Sequence, residues 1–203
     1  MITIYGSPQS SAGRCYWTLE EAGAPWEQAP FSMRNKDHKS AEFLKLNPNG
    51  KVPCIRDGSA TLWESTAINF YIAEKWKQDL LGTTALERAL VQQWSTWSQV
   101  DLQPPLIQVF IQLHFIPEER RNQEVIDTNL EKVKPLLVIL DQELNHKRYL
   151  AGEEFTLADI NVASVASVYK SLGFSLEGLN NLQKWLETCQ SRPAWQKVSQ
   201  LDS

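Results

Sequence analysis

A proline set inside a strand constrains this chain more than any other feature. In LNPNGKVPCIRDGSATLWES, Leu46 to Ser65, the run Val52 to Ile55 reads as a strand. Pro53 has no N–H to give a ladder, so it belongs at a sheet edge, a strand start or a bulge. A cis Val52-Pro53 bond would turn the Val52 amide and carbonyl outward, toward a ligand. Asn47-Pro48-Asn49-Gly50 just before it is dense turn chemistry. Glu64-Ser65 sits where a second short strand, Thr61 to Trp63, gives way to a helix. A carboxylate and a hydroxyl there flank exposed helix N–H groups, which suits a charged ligand end.

The first third alternates strand and helix patterns. Ile2 to Tyr5 is β-branched and ends at Gly6; Ser11 to Ala22 reads as a helix stopped by Gly23 and Pro25. Trp26 to Phe31 can be a strand and Ala41 to Leu46 a short helix. Asp57-Gly58 joins the next two strands as a hairpin. Glu64 to Lys77 closes the unit as a helix with Ile68, Ile72 and Trp76 four residues apart. The order is βαβαββα, a thioredoxin-like arrangement. From Leu86 onward strand signals fade. Leu130, Val133, Leu137, Leu140 and Leu144 mark an amphipathic helix. Leu157 to Leu172 is apolar on most sides and reads as a buried central helix, with Thr156 and Asp159 as its capping pair. Pro104-Pro105 is expected to kink or break the helix that begins near Leu86. The fold class is therefore α+β, with a thioredoxin-like domain over 1–77, a linker over 78–85 and an all-α domain over 86–203.

A formal net charge of −4 offers no basic surface for nucleic acid or an anionic membrane. No apolar run approaches the ~20 residues of a membrane span, and MITIYGSP does not form a secretory signal. Cys15, Cys54 and Cys189 show neither a CxxC nor metal-ligand spacing, which fits a reduced cytoplasmic compartment and no metal.

Four segments, in order, resemble the cytosolic glutathione transferases, and together they span nearly the whole chain: SPQSSAGR (Ser7 to Arg14), HKSAEFLKLNPNGKVP (His38 to Pro53), WESTAINFYIAEKW (Trp63 to Trp76) and FTLADI (Phe155 to Ile160). The resemblance is to serine-type, bacterial and plant-like members. It implies a glutathione transferase that joins the glutathione thiolate to small hydrophobic electrophiles, with glutathione as co-substrate, as a homodimer. Ser10 is the expected thiolate partner, because Pro8 precedes it and Arg14 follows it. Its hydroxyl would donate to the sulfur, an electrostatic role like that of an oxyanion-hole donor. Ser7 and Ser11 compete for the role, and a slip of one residue favours Ser11. Tyr5, ending the first strand, is a further alternative, and without the resemblance Ser10 and Ser11 are simply helix caps.

The resemblance also implies where the tripeptide lies. His38, Lys39 and Lys51 would meet the glycine carboxylate, Val52 with Pro53 the cysteinyl backbone, and Glu64 with Ser65 the γ-glutamyl end. Val52-Pro53 is then expected to be cis. The electrophile would contact Gln9, Ala12, Trp97, Pro104, Ile107, Phe110, Ile111, His114 and Phe115, each of which singly could be plain core. Two rivals share this site: a glutathione-dependent peroxidase or isomerase, and a scaffold that keeps the fold without turnover.

Overall fold

The computed structural model describes residues 1–201. The chain divides into two compact units, Met1–Leu81 together with the segment from Ser191 onward, and Gly82–Gln190.

In the first unit β1 (Ile2–Tyr5), β2 (Trp26–Gln28), β3 (Cys54–Asp57) and β4 (Ala60–Trp63) form one sheet in the order β2-β1-β3-β4. β1 pairs parallel with β2 and antiparallel with β3, and β3 pairs antiparallel with β4. Side chains alternate across a strand. Ile2, Ile4 and Ile55 enter a core with Tyr16 and Leu19 of α1 (Gly13–Ala22) and Ile68 and Ile72 of α3 (Ser65–Trp76). Tyr5 faces the other way, where its ring meets Phe31 and Phe43, the latter on α2 (Ala41–Leu46). The expected βαβαββα order is present.

Local chemistry moved several boundaries. β2 stops at Gln28, two residues short of Pro30, rather than running to Phe31. β3 begins at Cys54 rather than Val52, since Pro53 cannot donate to the ladder. α1 begins at Gly13 because Ser7 to Ala12 forms turns instead of helix.

The second unit contains α4 (Ala85–Trp97), α5 (Gln103–His114), α6 (Gln123–Glu143), α7 (Leu157–Ser171) and α8 (Asn180–Gln190). α7 is the central helix, with ten of its residues buried. Its start is closed by a capping box. The Asp159 carboxylate accepts from the Thr156 N–H (2.9 Å) and hydroxyl (3.2 Å), the Leu150 N–H (3.0 Å) and the Trp185 indole N–H (2.9 Å). Pro104-Pro105 does not break the helical path. A π-helical turn, Ser98–Leu102, links α4 to α5, so both prolines fall in the first turn of α5, where missing N–H groups matter least.

The last helix, α9 (Pro193–Ser199), groups with the first unit, whereas the sequence reading placed it in the all-α domain. The reason is local: Arg192 makes a two-point ion pair with Glu21 of α1 (2.6 and 2.8 Å), and Lys197 pairs with Glu20 (2.7 Å). Val198 joins the core, and Trp195 packs on Trp17 with ring centroids 4.7 Å apart.

Candidate active site

The register of the sheet decides where the site lies. Tyr5, Cys54 and Trp63 stand in one row across β1, β3 and β4. The chain therefore leaves or enters all three strands at the same edge, through Gly6, through Val52-Pro53 and through Glu64. Residues far apart in sequence meet there.

Val52-Pro53 is cis. Gly6 has φ +119°, and a Cβ on it would lie 3.0 Å from the Val52 Cβ and 3.1 Å from the Ala12 Cβ, so only glycine lets this loop close on Val52. The Ser11 hydroxyl donates to the Val52 carbonyl at 3.1 Å. The Ser10 hydroxyl instead donates to the Ser7 carbonyl (2.7 Å) and accepts from the Ala12 N–H (3.1 Å), both within its own turn. Ser7 donates to the Gln9 side chain, whose amide reaches the Leu201 carbonyl (2.9 Å). Of the three serines, Ser11 is the one hydrogen-bonded to Val52.

Gly50 follows the Asn47-Pro48-Asn49 turn at φ +57°, and a Cβ there would sit 2.8 Å from both the His38 carbonyl and the Lys39 Nζ. Lys39 donates to the Gly50 carbonyl at 3.2 Å, and the Asn47 amide donates to that of Lys51 at 2.7 Å. His38, Lys39 and Lys51 are thus gathered beside Val52. The His38 Nδ1 is buried without a hydrogen-bond partner.

Glu64 holds φ +70° and ψ +114°, a strained conformation for a residue with a Cβ, and no side chain caps the α3 start. Ser65 is buried, and its carbonyl accepts from the Cys15 thiol at 3.6 Å. Burial pushes the Cys15 thiol up to about 12 and the Cys54 thiol up to about 11, so both stay protonated near neutrality. Cys15 is a packed residue that ties α1 to the start of α3. Arg14, the other landmark of the SPQSSAGR loop, is also buried, which lowers its pKa to about 10.

The expected electrophile residues divide. Ala12 is fully buried in the core of the first unit. Gln9 is exposed in the same unit. In the second unit Pro104, Ile107, Ile111 and His114 follow 3, 4, 3 spacing along one side of α5 and are exposed. Phe110 packs against His114 and Phe115 at 4.6 and 5.8 Å, and Trp97 against Trp94 at 5.2 Å. Tyr5 lies with Phe31 and Phe43 on the other face of the sheet from Ile2 and Ile4. Sequence reasoning missed Gly6, whose need for positive φ shows only once Val52 is seen against it. It also missed the Ser11–Val52 bond, which joins residues 41 apart.

Residues 1–74 match the family model "Glutathione S-transferase, N-terminal domain" and residues 102–193 match "Glutathione S-transferase, C-terminal domain". The chain belongs to the glutathione S-transferase family. It is an enzyme of that family, with glutathione as co-substrate. It is 36% identical to glutathione S-transferase 4 of Zea mays, over 98% of this chain and 92% of that protein. It is 33% identical to glutathione S-transferase GstB of Escherichia coli strain K12, over 98% and 97%. Its fold is similar to that of the theta class glutathione S-transferase of the citrus canker pathogen Xanthomonas axonopodis pv. citri, solved with glutathione bound: TM-score 0.92, 30% identity, 99% of this chain and 98% of that one.

Proposed function

We propose that this glutathione S-transferase joins glutathione to small hydrophobic electrophiles, with its thiolate stabilised by a serine hydroxyl of the Ser7 to Ala12 loop. One observation carries the reading. The serine loop, the cis Val52-Pro53 segment and the strained, uncapped start of α3 leave one row of the sheet at the same edge. The tripeptide would lie along that edge. His38, Lys39 and Lys51 take its glycine carboxylate, and the Val52 backbone pairs with the cysteinyl unit as an added strand. Glu64 faces the α-ammonium of the γ-glutamyl end, while Ser65 and the open N–H groups of α3 face its carboxylate.

A free thiol titrates near 8.5, so at neutral pH most of it is protonated and a poor nucleophile. A hydroxyl donating to the sulfur, aided by the positive end of α1, favours the thiolate. The thiolate then attacks the electrophile: a carbon–sulfur bond forms, and the leaving group departs with its electron pair.

The test is a panel of halonitroarenes, isothiocyanates, hydroperoxides and maleylacetoacetate-type isomers assayed with glutathione. Turnover of the first two supports conjugation. Turnover of hydroperoxides or isomers alone moves the activity to the peroxidase or isomerase reading, and silence throughout moves it to a scaffold. The double variant Ser10→Ala/Ser11→Ala is expected to lose on the order of tenfold to a thousandfold in rate, as for loss of an oxyanion-hole donor.

A homodimer in the cytoplasm completes the proposal. Three buried cysteines that form no disulfide support a reducing compartment, and no helix among the described residues is long and apolar enough to cross a membrane. Light scattering tests the dimer.

A further inference from the structure

We propose that Asn49 is a modification site: its side-chain amide is lost through attack by the Gly50 nitrogen, and the acid left behind weakens glutathione binding. The chemical step stands on the turn alone. Its consequence rests on the placement of the glycine carboxylate proposed above.

Asn49 is the one asparagine in the sequence that glycine follows. Gly50 has no side chain to crowd its own nitrogen, and Asn49 is exposed, so water reaches its amide. The other asparagines are worse placed. Asn47 is buried and precedes Pro48, whose nitrogen has no proton to lose. Asn69 and Asn161 are buried inside α3 and α7. Exposed Asn35 and Asn145 precede Lys36 and His146, whose side chains crowd the attacking nitrogen.

The Gly50 N–H donates to the Asn47 carbonyl at 2.9 Å, so the reaction starts when that turn bond opens. The Gly50 nitrogen gives its proton to hydroxide, and Lys39, whose Nζ lies against Gly50, favours the anion. That nitrogen attacks the Asn49 Cγ. A carbon–nitrogen bond forms, closing a succinimide ring; the bond to Nδ2 breaks, and ammonia leaves with a proton taken back from solvent. Water then opens the ring at either carbonyl. One opening gives aspartate, and the other gives isoaspartate, in which the backbone runs through the former side chain. The net change is a water consumed and an ammonia released.

Asn47 is the hub that transmits the change. Its Oδ1 accepts from the Asn49 N–H (3.0 Å) and side-chain amide (3.1 Å), and its own amide holds the Lys51 carbonyl (2.7 Å). Once the Asn49 amide is an acid, two acceptors face each other where a donor met an acceptor, and the carboxylate turns away. It brings a negative charge to the place where His38, Lys39 and Lys51 gather, and competes there with the glycine carboxylate. Isoaspartate adds a backbone carbon ahead of Gly50, which has no room to shift against the His38 carbonyl and Lys39. The site thus loses affinity as the molecule ages.

The test ages purified protein at mildly alkaline pH. Peptide masses read each asparagine, enzymatic methylation reads isoaspartate, and calorimetry reads glutathione affinity. Both products are expected at position 49 ahead of every other asparagine, faster as pH rises, with affinity falling in step. Asn49→Asp in fresh protein should bind glutathione roughly threefold to tenfold more weakly, with part of the loss relieved by added salt. Asn49→Gln, whose longer side chain closes a ring poorly, should hold its starting affinity through the same ageing. Ageing that leaves Asn49 intact, or modifies another asparagine first, overturns the site. Unaltered affinity in both aged protein and Asn49→Asp overturns the consequence. The double variant Lys39→Ala/Lys51→Ala keeps the two readings apart. Undiminished glutathione affinity there sinks the placement of the glycine carboxylate, whereas the peptide masses decide the modification by themselves.

Discussion

Two helix starts in this molecule solve the same problem in opposite ways. Every α-helix begins with N–H groups that lack an intrahelical partner. At α7 the chain answers them itself, with Thr156 and Asp159 closed into a capping box and Asp159 also holding Leu150 and Trp185. At α3 no side chain answers, and the residue before the helix, Glu64, is held in a strained conformation. The first start is sealed by side chains of its own chain and supports the core of the second unit. The second leaves its donors without a side-chain acceptor, as do the starts of α1, α5 and α9, and what sets it apart is the strained Glu64. It is the start at which the proposed function places the γ-glutamyl end of glutathione.

Substitutions can break this contrast. The largest effect is expected at the closed start. Asp159→Ala leaves four buried donors without this acceptor and should cost about 3 kcal/mol or more of stability in denaturant unfolding. If the unfolding midpoint barely moves, the capping box is not what secures α7. At the open start, stability and binding should separate. Glu64→Ala should weaken glutathione binding about tenfold to a hundredfold by calorimetry, the scale of one charge-assisted bond. Glu64→Gly should lose the same affinity yet be the more stable of the two by up to about 1–2 kcal/mol, because glycine relieves the positive φ at a smaller entropic cost. Equal stability of the two variants would show that Glu64 is not strained.

A third start, that of α4, sharpens the comparison at the small end. Glu87 accepts from the Thr83 hydroxyl and from the Thr83 and Thr84 N–H groups, which hold its carboxyl down at about 2. Because the folded value is lowered, its stabilisation is complete above the ordinary value of 4.5 and is lost as pH falls toward about 2. Glu87 is open to solvent, so Glu87→Gln should lower the melting temperature at pH 7 by only about 1–2 °C. That difference should shrink as pH falls toward 2 and vanish below it. A gap that persists there would mean the charge is not the cause.

The sequence made the capped start of α7 legible because a cap is local: Thr156 and Asp159 lie within one turn, and their spacing is visible in the chain. The proline in Val52-Pro53 was legible for the same reason, since a missing N–H is a property of one residue. The βαβαββα order followed from strand and helix periodicity in short segments. What stayed hidden depended on distant pairings. Pro53 delays the start of β3 to Cys54, but that the Val52 carbonyl then accepts from Ser11 instead of the sheet is not visible in the residue order. Spacing relative to Pro8 and Arg14 pointed to Ser10, but spacing carries no information about which hydroxyl faces Val52. Pro104-Pro105 announces a kink or a break, but the π-helical turn that accommodates the prolines has no signature in residue types. α9 read as one more helix of the all-α domain, since nothing in PAWQKVS announces that Arg192 and Lys197 will find Glu21 and Glu20.

That last pairing carries a consequence for how the protein is made. The first unit is discontinuous in sequence, and 109 residues, 82 to 190, separate its main body from the helix that completes it. At ribosomal speeds of ~5–20 residues per second, that interval is roughly 5–20 s. Throughout it the emerging α1 has Glu20 and Glu21 without their cations, and the side of Trp17 that later meets Trp195 is uncovered. The half of the protein translated first is therefore finished last.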